Sequence, residues 1–393
     1  MKTMSSYKKR IPVTELLEHP DACLIRDVLS QTGATVLIPS GIPISKFVDG
    51  LDDPNRVIEA LQRIGIQTVD IVLPDEFDPD EAMARLTELD PSISVIDNEV
   101  TDRAQVVMDD IFKNISVDEK YAIPKEEIDN LGHTLAQAIE GASQIALSLL
   151  SSAEDSYTQT HALNVSLLSG HIAKKLVEAG MAKPEITEKA VVAGLLFDIG
   201  KTAIPKEILE KREALTPKEL HIMRTHVNES VKMCKEAGIT DTDILDGIAT
   251  HHERYDGSGY FRGLVGTQIP IIGRILAVAD TFDAMTSQRA YKDAVSSKLS
   301  FNFIMSANET QFDPDICKIF ISGMGVYPPG SVVELSNGLV GTVVAVTPGN
   351  LLQPKVAVKE NGEPTIVDLA ANRLFIKRSL DADPRDELDI ESM

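Results

Sequence analysis

Residues 191–201 read VVAGLLFDIGK, 223–226 read MRTH, 249–261 read ATHHERYDGSGYF, and 274–292 read RILAVADTFDAMTSQRAYK. His221, His226, His251 and His252, four of the eight histidines of the chain, fall between Val191 and Lys292, and His161 stands upstream in YTQTHALNVS. Asp198 and Asp280 each follow an apolar run, Ala193–Phe197 and Ile275–Ala279. A carboxylate at the end of an apolar helical segment is costly to bury unpaired, and a bound cation is one common compensation. Histidine with aspartate suits Fe, Mn or Zn better than Ca or Mg.

Composition bounds what surrounds this stretch. A chain of 393 residues predicts two or three domains. An apolar fraction of 43% is enough for sizeable cores. The net charge of −22 argues against a nucleic-acid partner, which needs basic faces, so an anionic ligand must be drawn in by a local positive site or a metal. The three cysteines, Cys23, Cys234 and Cys317, are widely spaced and form no CxxC, which fits a reducing compartment. No apolar run approaches the length of a membrane span, so none is expected, and the cytoplasm is the default location.

Along the chain, residues 1–98 are expected to form a small α/β domain with a regulatory or docking role. Thr35–Ile38 and Thr68–Leu73 read as short strands. Between them Asp53 can cap a helix that has Pro54 at its first position, Val57, Ile58, Leu61 and Ile64 as its stripe, and Gly65 at its end. The acidic run DEFDPDE (75–81) reads as a solvated turn. Residues 99–132 are polar and charged and read as a helical linker. From Leu135 to Leu150 apolar residues recur at i, i+3, i+4 and i+7, the pattern of an amphipathic helix and a candidate surface for a homodimer. Further helices are expected at about 157–178, 184–199, 217–236, 241–252, 270–285 and 296–307, with Thr216 capping a helix that starts at Pro217. The region 133–325 is therefore all-α. Residues 326–378 alternate or are β-branched, with strands at Ser331–Leu335, Gly341–Val346, Lys355–Val358 and Thr365–Leu369. With the hairpin signal Asn337-Gly338, they predict a small β-barrel-like cap. The tail 379–393 is acidic and reads as disordered.

Each candidate site residue also has an ordinary reading. A single histidine is more often a satisfied core residue than a ligand. His251 and His252 are adjacent, so on a helix they point about 100° apart, and they precede Glu253, Arg254 and a Gly-rich loop. That context favours a site. His226 and His161 alone would carry little. Asp198 and Lys201, three apart, could simply pair. Asp280, inside an apolar helix, is the hardest to explain without a partner. Arg289 and Lys292, also three apart, share one face of a helix and suit a phosphate, although a solvated helix end is the plain alternative.

Taken together, these motifs resemble the HD-GYP family of metal-dependent cyclic di-GMP phosphodiesterases, over roughly Asp155 to Phe320. The segment YPPGSVVELSNGLVGTVV is similar to one that follows this domain in many members. The resemblance implies a central HD-type helical domain. It implies metal ligands at His161, Asp198, His226, His251, His252 and Asp280, with Asp198 bridging two metals. It places Lys201 beside the scissile phosphate as a catalytic partner of Asp198, and Tyr260, Asp283, Arg289 and Lys292 around the dinucleotide. It also implies Fe, Mn or Zn as cofactor, cyclic di-GMP as ligand, and diguanylate cyclases as possible protein partners. Three positions depart from the family pattern. Phe197 replaces the histidine of the HD pair, so the metal on His161, Asp198 and Asp280 should bind more weakly than the one on Asp198, His226 and His251 or His252. Phe261 replaces the proline of GYP. Tyr157 stands where metal-rich members carry a carboxylate, which implies two metals at most. The expected function is a phosphodiesterase that acts on or binds cyclic di-GMP, with reduced activity. The alternative is an inactive sensor or interaction effector.

Overall fold

The computed structural model describes residues 6–20, 22–24, 28–29, 36–38, 44–48, 53–74, 88–117, 121–145, 149, 157–211, 213–287, 295, 297–347, 349–360 and 363–380. The runs 75–81 and 381–393, expected as an acidic turn and a tail, lie outside the described residues, as do Arg289 and Lys292. The chain divides into two compact units. One comprises residues 1–90, 331–343 and 355–393, the other residues 91–330 and 344–354.

In the first unit, β1 (Ser6–Pro12), β2 (Cys23–Leu24) and β5 (Thr68–Pro74) make a three-stranded sheet in the order β1-β5-β2, with both pairings antiparallel. β3 (Val28–Leu29) and β4 (Val36–Ile38) pair separately. α1 (Ile44–Val48) and α2 (Asn55–Arg63) complete this part. Asp53 accepts the backbone N–H of Asn55 at 3.0 Å, so the expected cap is present with Pro54 beside it. The basic segment SYKKRIP carries no sequence signal of a buried strand, yet it pairs along the whole of β5. Its Ile11 is buried beside Val13, Leu16, Leu61 and Ile71 in a small core of its own.

The helical unit begins earlier than the periodicity indicates. α3 (Asn98–Val117) and α4 (Lys125–Gly141) cover the stretch expected as a linker. Their Ala104, Met108, Ile111, Ile128 and Leu135 are buried in the same core as the helices that follow. α4 stops at Gly141 instead of running to Leu150. Ala142 is extended, and Ser143 is held by Ser94: the Ser143 N–H donates to the Ser94 carbonyl at 2.9 Å, and the Ser94 N–H donates to Ser143 Oγ at 2.8 Å. That pairing competes with the helix ladder and ends it.

α5 (Tyr157–Glu178) and α6 (Ile186–Leu196) form the centre of the unit. From Ala190 to Leu196 α6 is buried on every face, while Glu188 and Lys189 of its first turn reach solvent. Gly194 lets the two helices touch backbone to backbone, since a Cβ there would lie 2.5 Å from Ser166 Cα. A 3-10 turn (Ile199–Ala203) and α7 (Lys206–Leu209) follow. The single helix expected at 217–236 is two helices, α8 (Pro217–Arg224) and α9 (His226–Glu236), parted at Thr225. There the Thr225 N–H and Oγ1–H both donate to the Ile222 carbonyl, at 2.9 and 2.7 Å, closing α8 before α9 begins. α8 starts with a reciprocal Thr216/Glu219 cap and Pro217, as expected. α10 (Thr242–Thr250) is capped by Asp241. α11 (Ile271–Thr286), α12 (Ser297–Ser306) and α13 (Pro314–Met324) close the domain. Asp313 caps α13 with one oxygen and pairs with Arg274 of α11 through the other.

His171 of α5 is 2% exposed, and its Nε2 has no hydrogen-bond partner among the described residues. Burial, followed by the charges of Lys175 and Lys174, lowers its pKa from 6.5 to about 3. The unfolded chain takes up this proton near pH 6.5 and the folded chain does not, so stability is lost as pH falls from about 6.5 toward 3. At 1.36 kcal/mol per unit the loss reaches about 2 kcal/mol at pH 5. Denaturant unfolding at pH 8 and pH 5 should show this difference in the parent and lack it in His171→Gln. Equal pH slopes in the two proteins would refute the assignment.

The C-terminal strands are β6 (Val332–Leu335), β7 (Val340–Thr347), β8 (Asn350–Glu360), β9 (Glu363–Asp368) and β10 (Ile376–Ser379), with the short α14 (Leu369–Asn372) between the last two. They form an open five-stranded sheet in the order β10-β6-β7-β8-β9, with antiparallel β10–β6, β6–β7 and β8–β9 pairs. The expected barrel-like cap is therefore corrected to an open sheet, because β9 and β10 end up at opposite edges. The Asn337-Gly338 turn is present, with Gly338 at φ +87°.

Candidate metal centre

Five elements bring the predicted site residues together. α5 supplies His161, the turn after α6 supplies Asp198 and Lys201, and the first residue of α9 is His226. The end of α10 supplies His251 and His252, and α11 supplies Asp280. Asp198, His226 and His251 are each 2% exposed or less. Their placement follows from local chain geometry. α6 ends at Leu196, Phe197 caps it, and Asp198 is turned inward at the start of the 3-10 turn. Gly200 lets that turn lie against α9, and its N–H donates to Ser230 Oγ at 2.8 Å.

Two backbone carbonyls set the histidine tautomers. His226 Nδ1–H donates to the Met223 carbonyl and His251 Nδ1–H to the Ile248 carbonyl, each at 2.7 Å. Both Nε2 lone pairs are thereby left facing inward, as a metal-ligating histidine requires. His226 Nε2 lies 3.3 Å from Asp198 Oδ1, and His251 Nε2 lies 4.0 Å from it. All three atoms are buried and lack a hydrogen-bond partner among the described residues. Ligand atoms about 2.0–2.2 Å from one ion stand roughly 3 to 3.5 Å apart, so these separations are close to what a shared ion needs. One ligand atom from each of His226, His251 and His252 lies within 4.8 Å of the others. The residues present fit a divalent transition ion. Burial lowers the pKa of His251 to about 4 and that of His252 well below its usual value, so both are neutral ligands. Burial works against the charge of Asp198, but Lys201, His226 and His251 outweigh it and hold the carboxyl well below the usual range.

His161 and Asp280 lie in the same region with a different set of bonds. His161 Nε2 meets Asp280 Oδ1 at 3.0 Å, and its Nδ1 meets Asp283 Oδ2 at 2.6 Å. Asn164, one turn along α5, donates to Asp283 Oδ1 at 2.9 Å. Burial opposes a charge on His161, but the two aspartates raise its pKa to about 9. Asp283, expected against the dinucleotide, is placed against α5. It is 2% exposed and both of its oxygens are taken by His161 and Asn164.

Phe197 is fully buried. Its ring centroid is 5.8 Å from that of His161 and 5.0 Å from that of His251, edge-on to both. Tyr260 stacks on His252 (4.8 Å, 28°), and the Arg224 guanidinium lies over the Tyr260 ring with Cζ 4.5 Å from its centre. The loop that carries Tyr260 is pinned by Glu253, 1% exposed, which accepts the N–H groups of Arg262 (2.6 Å) and Leu264 (3.2 Å). Phe261 adopts φ +128°, which a proline ring cannot, so this loop follows a path closed to the family's GYP sequence. The structural roles of Asn164, Arg224, Ser230 and Glu253 were not read from the sequence. Asn164 alone had a usable signal, three residues after His161 on one helix face.

A buried aspartate and several histidines, delivered by separate helices of an all-α unit, form a cluster that could hold a metal ion. The HD domain family matches residues 145–316. The chain is 36% identical over 204 residues to the cyclic di-GMP phosphodiesterase PA4108 of Pseudomonas aeruginosa, covering 52% of this chain and 48% of that protein. It is 41% identical over 176 residues to a cyclic di-GMP phosphodiesterase of Thermotoga maritima, covering 44% and 47%. It is 33% identical over 198 residues to the 3'3'-cGAMP-specific phosphodiesterase 2 of Vibrio cholerae, covering 50% and 35%. Residues 145–316 of the helical domain are thus similar to the HD domain family and to these phosphodiesterases. The chain spans about half or less of the length of these relatives. Among the described residues no helix is long and apolar enough to cross a membrane.

Proposed function

We propose that the helical domain is a metal-dependent phosphodiesterase acting on cyclic di-GMP or a closely related cyclic dinucleotide. The observation that carries this is the convergence of Asp198 Oδ1, His226 Nε2 and His251 Nε2, three buried acceptors without partners. An ion on these groups and His252 would polarise a phosphodiester oxygen and lower the pKa of a coordinated water. We assign Lys201, beside Asp198 and 25% exposed, to a phosphate oxygen. Tyr260, in contact with His252 and Arg224, is the residue we assign to the rest of the ligand. Arg289 and Lys292 are assigned to the dinucleotide by family resemblance. In this role diguanylate cyclases are the functional counterparts, since they make what this enzyme consumes, and the cytoplasm is where the two meet.

Phe197 favours a second reading. Where the family has a histidine, this chain places a buried hydrocarbon ring that can ligate nothing, and a protein that binds the dinucleotide without cleaving it would follow. The test is incubation of Mn- or Fe-loaded full chain with cyclic di-GMP and with 3'3'-cGAMP, monitored by chromatography and by equilibrium binding. Linear product that vanishes with chelator is expected. Binding without product selects the second reading. Neither binding nor product overturns both.

A further inference from the structure

We infer that Arg224 grips the phosphate of the cyclic dinucleotide that is not cleaved, while the cluster around Asp198 takes the other. The inference rests on the function proposed above and adds to it the group that holds the far phosphate.

Arg224 is tied to the candidate metal centre from two directions. Along the chain it lies between Met223, whose carbonyl accepts His226 Nδ1–H, and Thr225, whose N–H and Oγ1–H both donate to the Ile222 carbonyl. Its backbone is thereby linked to the orientation of the His226 imidazole. Through space its Cζ lies 4.5 Å from the centre of the Tyr260 ring, and that ring stacks on His252. A guanidinium over an aromatic face is attracted by the ring, and its fork of N–H groups stays available to a two-pronged acceptor such as phosphate. Arg224 is exposed, so a ligand can reach it.

The surroundings leave those N–H groups to a ligand. Nearby, Arg262 pairs with Asp246 at 3.2 Å, and Arg254 lies over the Phe312 ring with Cζ 5.8 Å from its centre. The Arg224 side chain has no ion pair or hydrogen bond among the described residues, in a chain with 60 Asp and Glu against 38 Lys and Arg. The net charge of −22 repels an anion from most of the surface, so an unpaired cation beside the cluster marks where one is drawn in. Lys201 serves the Asp198 side of the cluster and Arg224 the Tyr260 side. That gives an anion two positions, and a cyclic dinucleotide carries two phosphates. The plain alternative is a cation favoured at the carbonyl end of α8, which would act on stability and not on a ligand.

The experiment compares the full chain with its Arg224→Ala and Arg224→Lys variants, each loaded with Mn. It reads the apparent affinity for cyclic di-GMP, as KM where the ligand is turned over and as Kd where it is only bound. Affinity is measured at about 0.1 M and about 1 M KCl, where charges are screened beyond about 10 Å and about 3 Å. Mn content and thermal melting are followed alongside. At the lower salt Arg224→Ala is expected to lose about 10-fold in affinity or somewhat more. Mn content should hold, and so should kcat where there is turnover, because the contact is made away from the reacting bond. Arg224→Lys should recover part of the loss as a point charge. At the higher salt the gap between parent and Arg224→Ala should shrink to about 3-fold or less. Equal affinity in parent and Arg224→Ala overturns the inference, as does a gap that salt leaves untouched, a fall in kcat at constant KM, or loss of Mn. A shift confined to the melting temperature assigns Arg224 to the helix end and overturns it too. A parent that binds no cyclic di-GMP at either salt overturns the phosphodiesterase reading itself, and this inference with it, a result distinct from the others.

Discussion

Asp198→Asn is expected to release the bound ion and, with it, hydrolysis, while leaving the fold standing. The carboxylate is 1% exposed and sits where His226 and His251 converge. Removing an outer partner of a metal ligand typically costs about 10–100-fold in affinity or activity, so removing a direct ligand that also neutralises the ion should exceed about 100-fold. The amide keeps the volume of the carboxylate, and the Lys201 partner it abandons is one-quarter exposed and can turn to water. Stability should therefore change far less than metal affinity. Calorimetric titration of stripped protein with Mn, alongside a thermal melt, separates the two. Retention of a full ion with unchanged affinity would remove Asp198 from the site.

Gly200→Ala should do the opposite, damaging the fold first and the site as a consequence. A Cβ at this position would lie 2.2 Å from the His226 carbonyl oxygen, 2.4 Å from Ser230 N and 2.8 Å from Ser230 Oγ. The first two are backbone atoms of α9, so no rotamer change relieves the overlap and the turn must move as a whole. Overpacking of this kind costs about 3 kcal/mol or somewhat more. In a unit of this size that is a fall in Tm of roughly 6–12 °C. The movement separates Asp198 from His226, so metal affinity should fall with stability. Ser230→Ala is the comparison. It removes only the acceptor of the Gly200 N–H and should cost about 1 kcal/mol. A Gly200→Ala protein that melts with the parent and keeps its ion would mean that the turn and α9 do not approach as described.

Much of this architecture is written locally. Thr216, Pro217 and Glu219 start α8, and Asn337-Gly338 turns one hairpin, because capping and turn chemistry act over a few residues. The helices expected at about 157–178, 184–199 and 270–285 are present as α5, α6 and α11. Local signals fail where a distant partner competes. The Leu135–Leu150 pattern continues past Gly141, but Ser94 captures Ser143 and ends the helix. The polar stretch 99–132 reads as a linker because its exposed faces dominate its composition, yet its few apolar residues are enough to join the core. The open C-terminal sheet could not be told from a barrel by strand count, since closure depends on which edges pair.

The site divides in the same way. The sequence determined which groups are available: an aspartate ending an apolar helix, a histidine pair before a Gly-rich loop, a second aspartate inside another helix, and Phe197 in place of a ligand. Only the tertiary structure decided how they are used. The Met223 and Ile248 carbonyls turn two lone pairs toward Asp198. Lys201 takes the other oxygen of that carboxylate, and Asp283 meets His161 Nδ1. The physical reason is separation along the chain. Availability is a property of residue type and neighbours, whereas each of these assignments is a competition for lone pairs and hydrogens between groups up to 122 residues apart, settled only when the helices pack.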